Sequence, residues 1–174
     1  MLKHICCVIS ILLLGACTSV PEGVEPVTGF DAQRYLGKWY EIARFDHSFE
    51  RDLSKVTATY SMRDDGGIKV INRGYNAKMG EWEEAEGKAY FVENESTGHL
   101  KVSFFGPFYA SYVIAELDKD GYTYSLVTGP DKSYLWILAR SAELPEQTIN
   151  KLVQKARSLG YDTEQFIWVD HSDT

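Results

Sequence analysis

The sequence has few cysteines, no strongly basic stretch and no long apolar run after its first residues. Its three cysteines all fall at or before position 17, so a domain that follows them has no thiol pair for a disulfide and needs a large core of its own. Clustered Lys and Arg, which supply most of the affinity for a phosphate backbone, are missing, and the net charge is -7. We therefore expect no nucleic-acid partner.

The residues that are present indicate one globular domain rich in strands. The chain has 174 residues, of which 44% are hydrophobic and 13% aromatic. This length accommodates one domain of ordinary size, and this much apolar surface offsets the conformational entropy lost on folding. The many Tyr, Phe and Trp residues favour β-strands, where aromatic side chains pack well.

The first 16 residues have the pattern of a cleaved export signal. Lys3 gives a short polar start, Ile5–Leu14 is almost wholly apolar, and small residues follow. Roughly 10 apolar residues are too few for a helix to cross a hydrocarbon core of about 30 Å. The tetrapeptide Leu14-Gly15-Ala16-Cys17 resembles the lipobox of bacterial lipoproteins, which implies cleavage before Cys17 and acylation of that residue. The alternative is an ordinary signal peptide with a chance cysteine.

An acylated Cys17 would attach the chain to a membrane. Three acyl chains, at about 0.8 kcal/mol per buried methylene, hold a protein far more firmly than one chain does. Lipoproteins retained in the inner membrane typically resemble one another in carrying Asp at the next position, where this chain has Thr18. The resemblance therefore implies a lipid anchor in the outer membrane and a domain facing the periplasm. Residues 17–29, with Pro21 and Pro26, are predicted to form an extended lipidated tether.

Turn signals spaced about ten residues apart predict an antiparallel all-β domain. Two connections, Asp64–Gly67 and Asp118–Gly121, contain the Asp and Gly that tight hairpins need. The eight predicted strands are Lys38–Phe45, Lys55–Arg63, Ile68–Asn76, Trp82–Glu93, Leu100–Phe105, Tyr109–Asp118, Tyr122–Thr128 and Ser133–Arg140.

After these strands the hydrophobic period changes from two to that of a helix. Pro145 suits a first helical turn and Gly160 suits a C-terminal cap. The apolar residues that fall on one helical face are Ile149, Leu152, Val153, Ala156 and Leu159. We expect this helix to pack on the outside of the sheet, followed by a short strand or packed tail at Phe166–Val169.

Eight antiparallel strands joined in sequence can close into an up-and-down barrel, which removes the exposed edges of an open sheet. A barrel of this size holds one small ligand. Periodicity alone leaves a two-sheet sandwich as an equal alternative.

Two motifs favour the barrel over the sandwich, because they resemble signatures of a known family. The segment Gly37–Arg44, preceded by a short helical Asp31–Leu36, resembles the first signature of the lipocalins, and Leu135–Arg140 resembles their closing-strand signature. The middle signature is only partly kept, as Leu117-Asp118-Lys119. The match covers about residues 30–169 and looks close to the bacterial outer-membrane lipocalins and the apolipoprotein D-like branch of the family.

The resemblance implies an eight-stranded antiparallel up-and-down barrel over residues 30–170, with a short N-terminal helix and a C-terminal helix packed outside. It also implies that Trp39 seals the barrel floor, that Gly37 permits a tight bend into the first strand, and that the Arg140 guanidinium lies across Trp39.

Strand alternation predicts which residues face the cavity. Leu100, Val102 and Phe104 form one apolar parity, and Trp136 and Leu138 share parity with Arg140. By resemblance to the family's ligand pockets, the best candidates for ligand contact are Tyr60, Asn72 and Trp136. An apolar wall with a few directional polar groups suits a chain with one polar end. The alternative is that all these residues are ordinary core residues of a filled barrel.

Glu41 shares parity with Trp39, and an unpaired carboxylate inside an apolar barrel would be driven toward its neutral form. Glu41 is therefore either paired or near the open rim, or it orients a polar headgroup. The sequence does not decide between these two interpretations.

Catalysis finds little support in the sequence. His47, His99 and His171 are scattered and are expected at the surface, and no catalytic or metal-binding motif is present, so we predict no enzyme, no metal and no cofactor. The favoured function is storage or transport of a fatty acid or lysophospholipid, for membrane maintenance. A lipid-modifying enzyme on the same barrel and a structural envelope lipoprotein with a filled barrel are the alternatives. The resemblance leaves a homodimer open, but no self-complementary patch is visible.

Overall fold

The computed structural model describes residues 18–172, so the predicted signal peptide and Cys17 lie outside the described residues. Within this range the chain forms nine strands and two α-helices. The strands are β1 Gly37–Arg44, β2 Leu53–Met62, β3 Ile68–Asn76, β4 Glu81–Phe91, β5 His99–Phe105, β6 Phe108–Leu117, β7 Tyr124–Thr128, β8 Leu135–Ala139 and β9 Ile167–Trp168. The helices are α1 Ala32–Tyr35 and α2 Glu146–Ser158.

Strands β1 to β8 form a closed antiparallel barrel. Each pairs with the next in sequence, and β8 pairs with β1 to complete the ring. The predicted barrel is confirmed, and the sandwich alternative is wrong. Predicted strand ends differ from the observed ones by at most two residues. The β7 strand begins late because Tyr122, at φ 53, belongs to the preceding turn.

One end of the barrel, here called the floor, is closed by α1. Asp31 caps this helix, since its Oδ1 accepts the N–H of Gln33 at 2.9 Å. The Arg34 guanidinium then donates to the carbonyls of Lys119 at 3.1 Å and Asp120 at 2.6 Å, in the β6–β7 connection. The opposite end, here called the mouth, carries the β1–β2, β3–β4, β5–β6 and β7–β8 connections.

Helix α2 packs on the outer wall of the barrel, as its apolar stripe predicts. Leu152 and Ala156 are fully buried against barrel residues that include Ile137. The helix ends at Ser158 and is followed by Gly160, whose φ of 82 is left-handed, and the N–H of Tyr161 donates to the Ala156 carbonyl at 3.1 Å. No helix within residues 18–172 is long and apolar enough to cross a bilayer.

The segment predicted as an extended tether is not a free linker where the structure describes it. Val24 is buried, and the Val27 N–H donates to the Ile114 carbonyl of β6 at 2.9 Å. At its start, the Ser19 hydroxyl donates to the Pro130 carbonyl at 3.0 Å, in the β7–β8 connection. Apolar side chains spaced along this segment bind it to the outer wall. Residues 19–30 therefore run from the mouth to the floor.

Candidate functional site

The floor of the barrel is built around Trp39, which is fully buried. Its indole N–H donates to the Tyr35 carbonyl at 2.8 Å, and the Arg140 Cζ lies 4.0 Å from the ring centroid. Arg140 also donates to the carbonyls of Lys38 at 3.0 Å and Arg34 at 2.7 Å. The structure thus brings Trp39 and Arg140 together as the resemblance implies.

Gly37 has a specific reason to be glycine. Its φ of 94 lies in the left-handed region, and a Cβ there would lie 3.3 Å from Nη1 of Arg140. A side chain would strain the backbone and crowd the guanidinium. The predicted structural roles of Gly37 and Arg140 are therefore physically linked.

Above the floor, phenol groups hydrogen-bond to one another. The Tyr35 hydroxyl lies 2.9 Å from that of Tyr112 and 3.0 Å from Ser125 Oγ, and the Tyr60 hydroxyl lies 2.9 Å from that of Tyr112. Burial raises the pKa of Tyr35 to about 12 and raises the pKa of Tyr60 and Tyr112 in the same direction. These hydroxyls are neutral and mutually satisfied, so the rings present an apolar surface.

A cavity of about 540 Å³ extends from this floor to the mouth. This volume is typical of a small-molecule site, and the barrel is hollow rather than filled by side chains. All seven residues predicted to contact a ligand line this cavity: Tyr60, Asn72, Leu100, Val102, Phe104, Trp136 and Leu138. Their contact with a ligand stays a prediction.

The mouth is bordered by exposed aromatic side chains. Phe49 is 61% exposed, Phe105 is 82% exposed and Phe108 is 69% exposed, and all three also line the cavity. They come from the β1–β2 connection and the β5–β6 hairpin. A lipid entering the cavity would pass these rings.

One wall of the cavity carries two buried carboxyl groups. Glu41 is 4% exposed and Glu50 is 6% exposed. Nη1 of Arg44 donates to Oε1 of Glu41 at 2.8 Å, and the Glu50 carboxyl lies close enough to Glu41 for each to influence the ionisation of the other. Burial, together with the neighbouring Glu50, raises the pKa of Glu41 well above its ordinary value despite the opposing effect of Arg44. Glu41 is therefore paired and faces the cavity.

Aromatic rings lie beside these acids. The Trp136 indole N–H donates to Oε2 of Glu50 at 3.0 Å. The His47 ring stacks on Tyr134 with centroids 4.4 Å apart and on Phe49 with centroids 5.2 Å apart. Burial lowers the pKa of His47, so this imidazole is neutral near pH 7.

Known proteins similar to this chain agree with this geometry. Residues 30–171 match the family model described as the lipocalin-like domain. This chain belongs to the lipocalin family. It is 54% identical to the outer membrane lipoprotein Blc of Vibrio cholerae over 158 residues, which cover 91% of this chain and 92% of the relative. It is also 54% identical to the protein of the same name from Escherichia coli strain K12, over 90% of this chain and 89% of the relative.

More distant lipocalins share the fold. Apolipoprotein D of Macaca fascicularis is 32% identical, over 92% of this chain and 85% of the relative. The solved structure of insecticyanin from the tobacco hornworm Manduca sexta superimposes with a TM-score of 0.71 at 23% identity, covering 89% of this chain and 88% of that one. The second similarity shows a common fold.

Two groups of this lipocalin were not predicted from the sequence: Glu50, which lines the cavity, and the buried Arg44, which pairs with Glu41. The register between β1 and β8 shifts between Glu41 and Ala43, which turns Ala43 toward α2 and Arg44 toward Glu41. Strict alternation predicts the opposite orientation for both residues. Glu50 lies in the β1–β2 connection, where no periodic pattern applies.

The expectation of surface histidines is wrong for two of the three. His47 is 8% exposed, and His99 is 4% exposed with its Nε2 3.0 Å from the Ser111 hydroxyl. His47 is buried because the aromatic rings of the mouth stack around it, and His99 because residues 18–30 cover the outer wall. Within residues 18–172, no cluster of three or more His, Cys, Asp or Glu side chains could hold a metal ion.

Proposed function

We propose that this lipocalin is a lipoprotein of the outer membrane that stores or carries a single-chain lipid, a fatty acid or a lysophospholipid, in its barrel. The observation that carries the proposal is the apolar cavity of about 540 Å³, closed at the floor and open at the mouth. Burial of an acyl chain there would supply about 25 cal/mol per Å² of apolar area. The names of the most similar relatives and the lipobox support the location.

The path of residues 19–30 supports exchange between the membrane and the cavity. Ser19 is bound to Pro130, and Pro130 itself lines the cavity at the mouth. Ser19 lies two positions after Cys17, with only Thr18 between them, and such a segment spans at most about 7 Å. A lipid anchor on Cys17 would therefore hold the mouth close to the leaflet, and Phe105 and Phe108 would offer apolar contact to it.

We infer a binding protein rather than a lipid-modifying enzyme. The two buried carboxyl groups and the phenols of the cavity are engaged by other side chains: Glu41 by Arg44, Glu50 by Trp136, and the phenols by one another. This arrangement holds a lipid without offering it an activated nucleophile. A bound lipid recovered chemically unchanged after prolonged incubation would support binding, and conversion of that lipid would support the enzyme.

Titration with saturated fatty acids of different lengths tests the proposed function. Removing two methylenes should weaken binding by about tenfold, because each buried methylene contributes about 0.8 kcal/mol. Val102→Trp should weaken binding because the larger side chain takes up part of the cavity, whereas Thr59→Trp, at an exposed position on β2, should not. Unchanged binding by the Val102→Trp protein would contradict the proposal.

A further inference from the structure

The carboxyl pair of the cavity wall is not balanced by positive charge. Arg44 gives only Nη1 to Glu41, because its Nη2 donates to the backbone carbonyls of Glu50 at 2.8 Å and Leu53 at 3.0 Å. Two acids therefore share one guanidinium in an apolar cavity. This corner of the cavity, formed by Glu41, Glu50 and Arg44, is electrically neutral only if it takes up one proton or one additional cation.

Aromatic faces lie around the same corner. Phe49, Tyr134 and Trp136 line the cavity together with Glu41 and Glu50. Aromatic rings beside a carboxylate attract an ammonium ion through their negative faces, and the attraction grows when water is excluded.

A buried polar atom without a partner lies behind these rings. The His47 side chain is more than nine-tenths buried, and its Nε2 has no hydrogen-bond partner within residues 18–172. Its ring lies against Tyr134, Phe49 and Trp136, the last with centroids 5.3 Å apart. This nitrogen supplies a polar group that protein contacts leave unused, next to the aromatic faces.

We propose that Glu41, Glu50 and the rings of Phe49, Tyr134 and Trp136 form a subsite for the ammonium headgroup of a single-chain lipid. One proton leaves this corner for solvent as the ammonium enters. The inference rests on the proposed function, since the acyl chain of the same lipid occupies the cavity below.

These contacts indicate how many protons the carboxyl pair binds with and without the ligand. In the free protein the Glu41–Glu50 pair keeps one proton, because burial raises the pKa of both groups. The bound ammonium replaces that proton, so its affinity rises with pH until Glu41 is ionised without a ligand. Other titratable or charged groups lining the cavity are Tyr35, Tyr60, Tyr109, Tyr112, Arg73, Glu83 and Glu84.

Three ligands with the same dodecyl chain test the subsite: dodecyltrimethylammonium, dodecanol and laurate. The protein is the mature chain carrying Cys17→Ser, so that no anchor is added. Calorimetry at pH 6 in two buffers of different ionisation enthalpy measures affinity and proton release together. We expect dodecyltrimethylammonium to bind about tenfold more tightly than dodecanol or laurate and to release a proton. Between pH 5 and pH 8 its affinity should rise while that of dodecanol stays constant.

Variants separate the two parts of the subsite. Glu41→Gln should lower the affinity for dodecyltrimethylammonium to that for dodecanol and abolish the proton release. Tyr134→Leu should weaken ammonium binding by about threefold and leave the proton release intact. Glu143→Gln, at an exposed carboxylate outside the cavity lining, is the matched control and should change neither.

The subsite would be overturned if the unmodified protein bound dodecyltrimethylammonium and dodecanol with equal affinity. It would also be overturned if laurate bound more tightly than both of the other ligands. The pH dependence of the unmodified cavity decides the matter even if a variant does not fold. Failure of dodecanol to bind would contradict the proposed function, and the subsite with it. Normal dodecanol binding without ammonium preference would contradict the subsite alone.

Discussion

At the scale of single residues, Arg140 shows how one side chain fastens the barrel floor. Its guanidinium lies over Trp39 and donates to the carbonyls of Lys38, Arg34 and Tyr122. A planar fork reaches several carbonyl groups at once, whereas an ammonium is a single point charge. The role was predictable because Arg140 belongs to a motif that resembles a family signature.

Arg140→Lys should therefore lower the free energy of unfolding by about 1–3 kcal/mol, since carbonyls of the floor lose their donors. Urea unfolding followed by tryptophan fluorescence measures this change. Arg51→Lys is the matched control, because Arg51 pairs with Asp46 where both side chains are more than half exposed. Equal effects of the two substitutions would contradict the role of Arg140.

Glu41 predicts how stability depends on pH. Its pKa is raised from the ordinary 4.5 by burial and by Glu50, so the folded state keeps its proton where the unfolded chain has lost it. The free energy of unfolding should fall as pH rises from about 4.5 toward the folded-state pKa, and then level off. Glu41→Gln should flatten this decline, while Glu84→Gln should not. Parallel pH profiles for Glu41→Gln and the unmodified protein would rule the explanation out.

At the scale of elements, the sequence pattern predicts regular structure well and irregular structure poorly. The stripe from Ile149 to Leu159 predicts α2, and the spacing of turn signals predicts each strand to within two residues. The register shift after Glu41 was invisible, because a bulge reverses side-chain direction without changing residue type. The packing of residues 19–30 was also missed, because prolines in an apolar segment are equally typical of a tether.

At this scale we predict that the β5–β6 hairpin contacts the membrane. Changing both Phe105 and Phe108 to Ser should lower the vesicle-bound fraction by about tenfold, because two exposed rings contribute about 1–2 kcal/mol when lipid covers them. Co-flotation of the Cys17→Ser mature chain with phosphatidylethanolamine and phosphatidylglycerol vesicles measures this. Met62→Ser, exposed at the opposite end of the barrel, is the control and should bind like the unmodified chain. Equal losses in both variants would contradict contact at the mouth.

At the scale of the whole molecule, the barrel encloses one cavity that is closed at the floor and open at the mouth. The strand order and the floor motif could be predicted from the sequence, because each depends on local pattern or on a signature. The hollow interior was expected only from the size of the barrel and the family resemblance, because alternation shows which residues face inward and not how much space they leave. The acid pair was likewise hidden, since Glu50 comes from a connection and meets Glu41 only in the folded chain.

Native mass spectrometry of the Cys17→Ser mature chain, recovered from cells without added lipid, tests the central claim most directly. The account predicts that each barrel carries one single-chain lipid, and that a smaller fraction of the Val102→Trp chain carries it because the indole takes up part of the cavity. A protein mass without any bound lipid, or the same lipid bound to an equal fraction of the Val102→Trp chain, would contradict the account.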